Sequence, residues 1–195
     1  MNPTNLTRRL LAPRKDQEAQ SMHAFVDETK QNGLLIAATF AEPRHVQQAS
    51  KVLQAKRMPG QNRIHFKTEK DARRREICST LCTMDVQVRV YDATGIRSAR
   101  EARTSCLTAV VEDLAFHGGG RLTIEQDDSL TDSDRRTLYS AVRKFGVADT
   151  LSYQHVRPNQ QPLLWVSDAV AWCFAKGGDW RRRVTPLIAE VRTLS

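Results

Sequence analysis

No apolar run in the chain reaches the roughly 18 residues that a membrane-spanning helix needs. The longest candidate, Leu163 to Ala175, is interrupted by Ser167 and Asp168, so a buried helix is expected there and no membrane partner. The opening residues also lack the pattern of an export signal, because after Arg8-Arg9 only Leu10-Leu11 supplies strongly apolar material before Pro13. The expected location is therefore cytoplasmic. Cysteine is sparse: Cys78, Cys82, Cys106 and Cys173 stand without the short paired spacings of a zinc ribbon or a disulfide scaffold. They read as reduced core residues, with only Cys78 and Cys82 spaced to share a helical face. Aromatic residues form no base-stacking signature of the kind that marks RNA-recognition motifs, and neither an internal repeat nor a low-complexity tract is visible.

What the chain does have is positive charge. Thirty Lys and Arg stand against 22 Asp and Glu in 195 residues, a formal net charge of +8. Such a surplus favours a polyanionic partner, nucleic acid first, although a basic protein can also simply gain solubility from it. The length suits one domain with a substantial core. Residues 1–21 read as a polar N-terminal arm, carrying Arg8, Arg9, Arg14 and Lys15, and residues 22–195 as the single domain.

Periodicity sets the expected elements. Met22 to Val26 and Leu34 to Phe40 flank Asn32-Gly33 and predict a hairpin, whose second strand lacks alternation and should be covered on both faces. A helix from Pro43 to about Lys56 follows. Arg63 to Lys67 reads as a short strand, and Glu69 to Met84 as a helix with Ile77, Cys78, Leu81 and Met84 on one stripe. Val86 to Val90 alternates cleanly. A helix from Ser98 to His117 should stop at the glycines 118–120, and a strand should cover Arg121 to Glu125. Thr131 or Asp132 is expected to cap a helix ending before Gly146, with a strand from Thr150 to Val156 beyond it. Two helical segments complete the chain, Leu163 to Ala175 and Trp180 to Leu194, the second kinked or broken at Pro186. This order predicts an α/β fold around one mixed β-sheet.

Three acids stand out. Asp27, with Glu28 beside it, lies at the carboxyl end of the first strand, where open α/β sheets bind ligands; an exposed acidic turn is the plainer reading. Glu125 ends a later strand, and Asp92 competes with it for the place nearest the first. Asp168 is the single charge between Leu163 and Ala175, so on burial it requires a metal, a cationic mate or a capping role. Asp27, Glu125 and Asp168 together form a candidate cage of hard oxygen ligands, suited to Mg2+ or Mn2+ and to phosphodiester hydrolysis. The basic residues would hold the phosphate backbone, among them Arg73, Arg74 and Arg75.

Phe25-Val26-Asp27-Glu28-Thr29, Thr123-Ile124-Glu125 and Trp165-Val166-Ser167-Asp168 resemble the motifs of the family known as domain of unknown function 3800. That family is placed among ribonuclease H-like folds, and the resemblance runs over residues 22–178. It implies a ribonuclease H-like mixed β-sheet flanked by helices, with an acidic metal site at Asp27, Glu125 and Asp168 and with Glu28 nearby as a further catalytic candidate. Ile64-His65-Phe66-Lys67 is similar to the family's middle strand with its basic residue or histidine, which implies His65 near the acidic site as a lesser candidate; His65 and Lys67 are also expected to contact nucleic acid. The chain departs from the family where Thr29-Lys30 replaces Ser-Gly, where Glu125 replaces Asp, and where the last motif lacks Gln and Ala. The leading expectation is a metal-dependent nuclease acting on RNA or DNA. The alternative is a non-catalytic nucleic-acid-binding or assembly protein of a mobile-element or toxin-like system, in which Arg73 to Arg75 and Arg181 to Arg183 would matter most.

Overall fold

The apolar stretches on either side of Asn32-Gly33 form the expected hairpin: β1 (Met22–Thr29) and β2 (Leu35–Ala41) pair antiparallel, with Asp27 opposite Ala37. Asn32 and Gly33, at φ 64° and 108°, supply the left-handed backbone that a tight hairpin turn requires. The structure is a computed structural model describing residues 21–195; the expected polar arm, with Arg8, Arg9, Arg14 and Lys15, falls outside the described residues apart from Ser21. All seven positions of β2 are buried, as its unbroken apolar run requires of a strand covered on both faces.

Outside this hairpin the sheet grows in both directions. β3 (Gln87–Asp92) lies antiparallel to β2, β4 (Gly120–Glu125) parallel to β1, and β5 (Leu151–Val156) parallel to β4. A sixth strand, β6 (Ile188–Thr193), pairs parallel with β3 and completes the order β5-β4-β1-β2-β3-β6.

Helices cover both faces. On one side lie α1 (Pro43–Ala55), α2 (Asp71–Leu81), α5 (Leu163–Lys176) and α6 (Gly178–Val184), packed on Phe25, Ala37, Val88 and Val90. On the other, α3 (Ala99–Phe116) and α4 (Thr131–Lys144) bury Val26, Ile36, Ala38 and Ile124. The alternation of side chains along β1 thus sends Phe25 and Asp27 towards α5, and Val26 towards α3. Among the described residues no helix is long and apolar enough to cross a membrane.

Three sequence expectations need correction. The strand predicted from Arg63 to Lys67 is a loop with a 3-10 turn at Phe66–Thr68. Ile64 and Phe66 are buried as the alternation suggests, but Phe66 inserts among Trp172 and Trp180, at ring centroid distances of 5.4 and 6.5 Å. No neighbouring strand takes its backbone bonds: the Phe66 N–H donates to Asp168 (2.9 Å), and the Phe66 carbonyl accepts from Arg74 Nε (3.0 Å) and from the Glu69 amide of its own turn (3.2 Å). The helix predicted from Trp180 to Leu194 ends at Val184, because Pro186 sits in a 3-10 turn at Thr185–Leu187 and the free edge of β3 takes up the remainder as β6. Neither Thr131 nor Asp132 caps α4: the cap position is Leu130, with no side-chain hydrogen bond. Thr131 Oγ1 instead donates to the Asp127 carbonyl at 3.0 Å, while Asp132 and Asp134 in the first turn answer the helix dipole.

At its start β4 runs tight against β1. The Gly120 amide donates to the Thr150 carbonyl (2.9 Å), and the Met22 amide to the Gly119 carbonyl (3.1 Å). Gly120 has φ 133°, and any Cβ placed there would collide with the Met22 carbonyl, so only glycine fits.

Candidate functional site

Because Val26 lies opposite Ile124 in the parallel pair, the next residues, Asp27 near the end of β1 and Glu125 at the end of β4, stand side by side on the same face of the sheet. That face is the one crossed by α5. Ser167 fixes the crossing point: its hydroxyl donates to the Phe25 carbonyl at 2.8 Å, which leaves its oxygen to accept the Thr39 hydroxyl at 2.7 Å. Ser167 and Thr39 are both fully buried, so this polar pair is satisfied in an otherwise apolar contact. Asp168, the next residue on α5, is thereby set over the end of β1.

Glu125 and Asp168 both act on Asp27. Burial pushes the Asp27 carboxyl well above the usual carboxylate range; the charges of Glu125 and Asp168 and a hydrogen bond with Glu125 push the same way, and Arg63 opposes them. Like charges this close favour keeping a proton on one of the pair. Asp27 Oδ1 also accepts from the Glu28 amide at 2.7 Å.

The loop that the sequence presents as a strand brings two basic side chains to these acids. Arg63 Nη1 stands 3.3 Å from Glu125, and His65 Nδ1 stands 3.3 Å from Asp168 Oδ2, the oxygen that also accepts the Phe66 amide. Asp92 lies two strands away from β1 and turns back on its own loop, accepting from the Thr94 amide and hydroxyl at 3.0 and 2.7 Å. Between the two candidates for the second strand acid, Glu125 is therefore the one beside Asp27.

The remaining candidates separate. Glu28 points to the opposite face, where Lys30 (2.9 Å) and Arg103 pair with it; the Arg103 Nη1 contact is ionic without hydrogen-bond alignment. Arg103 also grips Asp134 with Nε and Nη2 at 2.6 and 2.8 Å, and His155 Nε2 reaches the same carboxylate at 3.0 Å. Burial alone would raise the Asp134 carboxyl, but the hydrogen bonds from Arg103 and His155 hold it below its usual range. Arg73 pairs with Glu76 (2.8 Å). Arg74 braces the loop, donating to the Phe66 and Lys67 carbonyls, pairing with Asp71, and lying 4.4 Å over the Trp172 ring. Lys67 and Arg75 are exposed.

The sequence did not mark Arg63 as a partner of Glu125, nor Ser167 as the contact that seats α5 on the sheet. The odd-numbered face of residues 63–67 places Arg63 beside His65, but nothing in a spacing reveals a mate 62 residues away. Among the described residues no group of three His, Cys, Asp or Glu is arranged so as to hold a metal ion.

No protein-family model matches the sequence, and no curated protein matches it. Among solved structures, the chain is similar to RNase HII in the structure of the PCNA:RNase HII complex from Archaeoglobus fulgidus. The TM-score is 0.55 and the identity 14%, over 80% of this chain and 73% of that one. At this identity the likeness speaks to the backbone alone, and on that ground the chain has a ribonuclease H-like fold, a mixed six-stranded sheet with helices on both faces.

Proposed function

We propose that the chain is a divalent-metal-dependent nuclease hydrolysing phosphodiester bonds in RNA or DNA, cytoplasmic, and a divergent member of the domain of unknown function 3800 family. The observation that carries this reading is the convergence of Glu125 and Asp168 on the buried Asp27 carboxyl, on the face of the sheet under α5. A buried carboxylate crowded by two more is relieved by a cation, and oxygen-only donors suit Mg2+ or Mn2+. Asp27, Glu125 and Asp168 would hold the metal, which supplies an activated water and a stabilised leaving oxygen.

The chain's own groups divide the remaining work. Arg63 now neutralises Glu125, so it must release that carboxylate before Glu125 can serve as a ligand, and it is then free to meet a phosphate oxygen. His65, held by Asp168, is placed to take or return a proton at the edge of the acids.

A second reading, nucleic-acid binding without cleavage, is favoured by the Arg63–Glu125 pair, which leaves a cation beside one of the three acids. Manganese titration with and without an oligonucleotide separates the two. The nuclease predicts metal-stimulated cleavage that falls on the order of a hundredfold in Asp27→Asn, Glu125→Gln and Asp168→Asn, equivalent to about 3 kcal/mol of transition-state stabilisation. Unchanged cleavage in all three variants, or none in the wild type with either metal, refutes it.

A further inference from the structure

Across the sheet from the acids, α3 and α4 pack side by side and leave an open cleft of about 460 Å³ between their outer faces. The lining follows helical spacing. Arg100, Thr104 and Thr108 recur every four residues along α3, and Ser133, Arg136, Thr137, Ser140 and Lys144 make one stripe along α4. No carboxylate lines the cleft, and Ala141 is its single apolar side chain.

Arg100, Arg136 and Lys144 are exposed, and among the described residues none of the three takes part in an ion pair. The nearby acids of α4 are already matched, Asp132 by Arg135 and Asp134 by Arg103. The amino end of α4 lies by Ser133 and adds its dipole to the positive potential there. Three cations without an acidic mate, of which Lys144 also lies 5.2 Å over the Phe145 ring, flanked by hydroxyl donors, fit a row of phosphates.

We propose that this cleft binds the sugar–phosphate backbone of a single nucleic-acid strand, as a track separate from the acidic site. Packed helices lie about 8–10 Å apart axis to axis and so touch one another, which makes the furrow between their outer faces a shallow groove along which the backbone of one strand can lie. The stripe from Ser133 to Lys144 extends about 16 Å at 1.5 Å per residue, room for several phosphates. Without an aromatic ring in the lining, contact stops at the backbone and carries no base preference. An acidic protein segment would meet the same charges, but it would leave the hydroxyl donors with less to do than phosphate oxygens give them. The inference shares with the proposed function only the class of partner.

The test is fluorescence anisotropy with a labelled 20-nucleotide mixed-sequence DNA strand in chelator, where no metal-dependent cleavage contributes. Arg100→Glu/Arg136→Glu/Lys144→Glu is compared with Lys51→Glu/Arg121→Glu/Lys176→Glu, an equal change of net charge at exposed positions outside the cleft. The cleft variant is expected to bind at least tenfold more weakly and to lose about two from the slope of log K against log salt, at roughly 0.7 per phosphate contact. The control should lose less than threefold. Equal losses in both variants, or no loss in the cleft variant, overturn the proposal, as does displacement of the strand by polyglutamate at equal charge concentration. Failure of cleavage in the wild type leaves these outcomes unaffected, so the two readings fail separately.

Discussion

Replacing Arg103 by Met should cost the protein about 3 kcal/mol. The guanidinium is 8% exposed and holds Asp134, itself 1% exposed, through two hydrogen bonds at 2.6 and 2.8 Å while facing Glu28. Removing one partner of a buried pair strands the other charge, which typically costs about 3–5 kcal/mol. The lower end applies because His155 remains 3.0 Å from Asp134 and still donates to it. For a domain of this size about 3 kcal/mol corresponds to a fall in Tm of roughly 6–12 °C. Urea unfolding followed by circular dichroism measures the loss directly. The double variant Arg103→Met/Asp134→Leu should recover much of it, since an apolar pair of similar volume often replaces a buried ion pair at little cost. A loss under about 1 kcal/mol in the single variant, or a double variant less stable than the single, would refute the assignment of this network to stability.

Glu28 belongs to that network, so Glu28→Gln should leave Mn2+ affinity within twofold of wild type while lowering Tm, and calorimetric titration beside Asp27→Asn checks it. The depressed Asp134 carboxyl contributes stability that is fully present above its unfolded value of about 4 and is lost as pH falls through the lower folded value. The stability gap between wild type and Asp134→Asn, measured by urea unfolding, should therefore be constant near neutrality and shrink below about pH 4. Ser167→Ala takes from the buried Thr39 hydroxyl its partner and from the Phe25 carbonyl its side-chain donor, a cost of about 1–3 kcal/mol. Denaturant midpoints with and without saturating Mn2+ should both fall in that variant, and an unchanged midpoint would remove the pin from the account.

Most of the sheet was legible because its strands are either fully apolar, as in β2, or cleanly alternating, as in β3, and both patterns survive the tertiary context. Two segments misled for one shared reason. Residues 63–67 have strand periodicity and residues 188–193 could extend a helix, yet each is decided by what lies across from it: Asp168 and Arg74 for the first, the free edge of β3 for the second. Asp168 was readable as a lone charge in an apolar run, and Asp27 as an acid at the carboxyl end of a strand. That Glu125 and not Asp92 is the neighbour depended on strand order, which no local spacing contains. Arg63 and Arg103 were hidden for the same reason, since in a chain with 30 basic residues composition cannot single out the two that meet particular acids.

The bare backbone at Gly120 reaches further than its own turn. Since β1 and β4 are docked flush at that point, the offset between their far tips, five residues along, is decided there, before any of the acids is reached. A methyl group at this spot would have to push the two ribbons apart or slide one along the other, and a slide by a single notch would swing Glu125 through the sheet to the wrong side. The alignment of the acidic tips is thus inherited from the opposite rim of the molecule, and chemistry at one end is hostage to a missing side chain at the other.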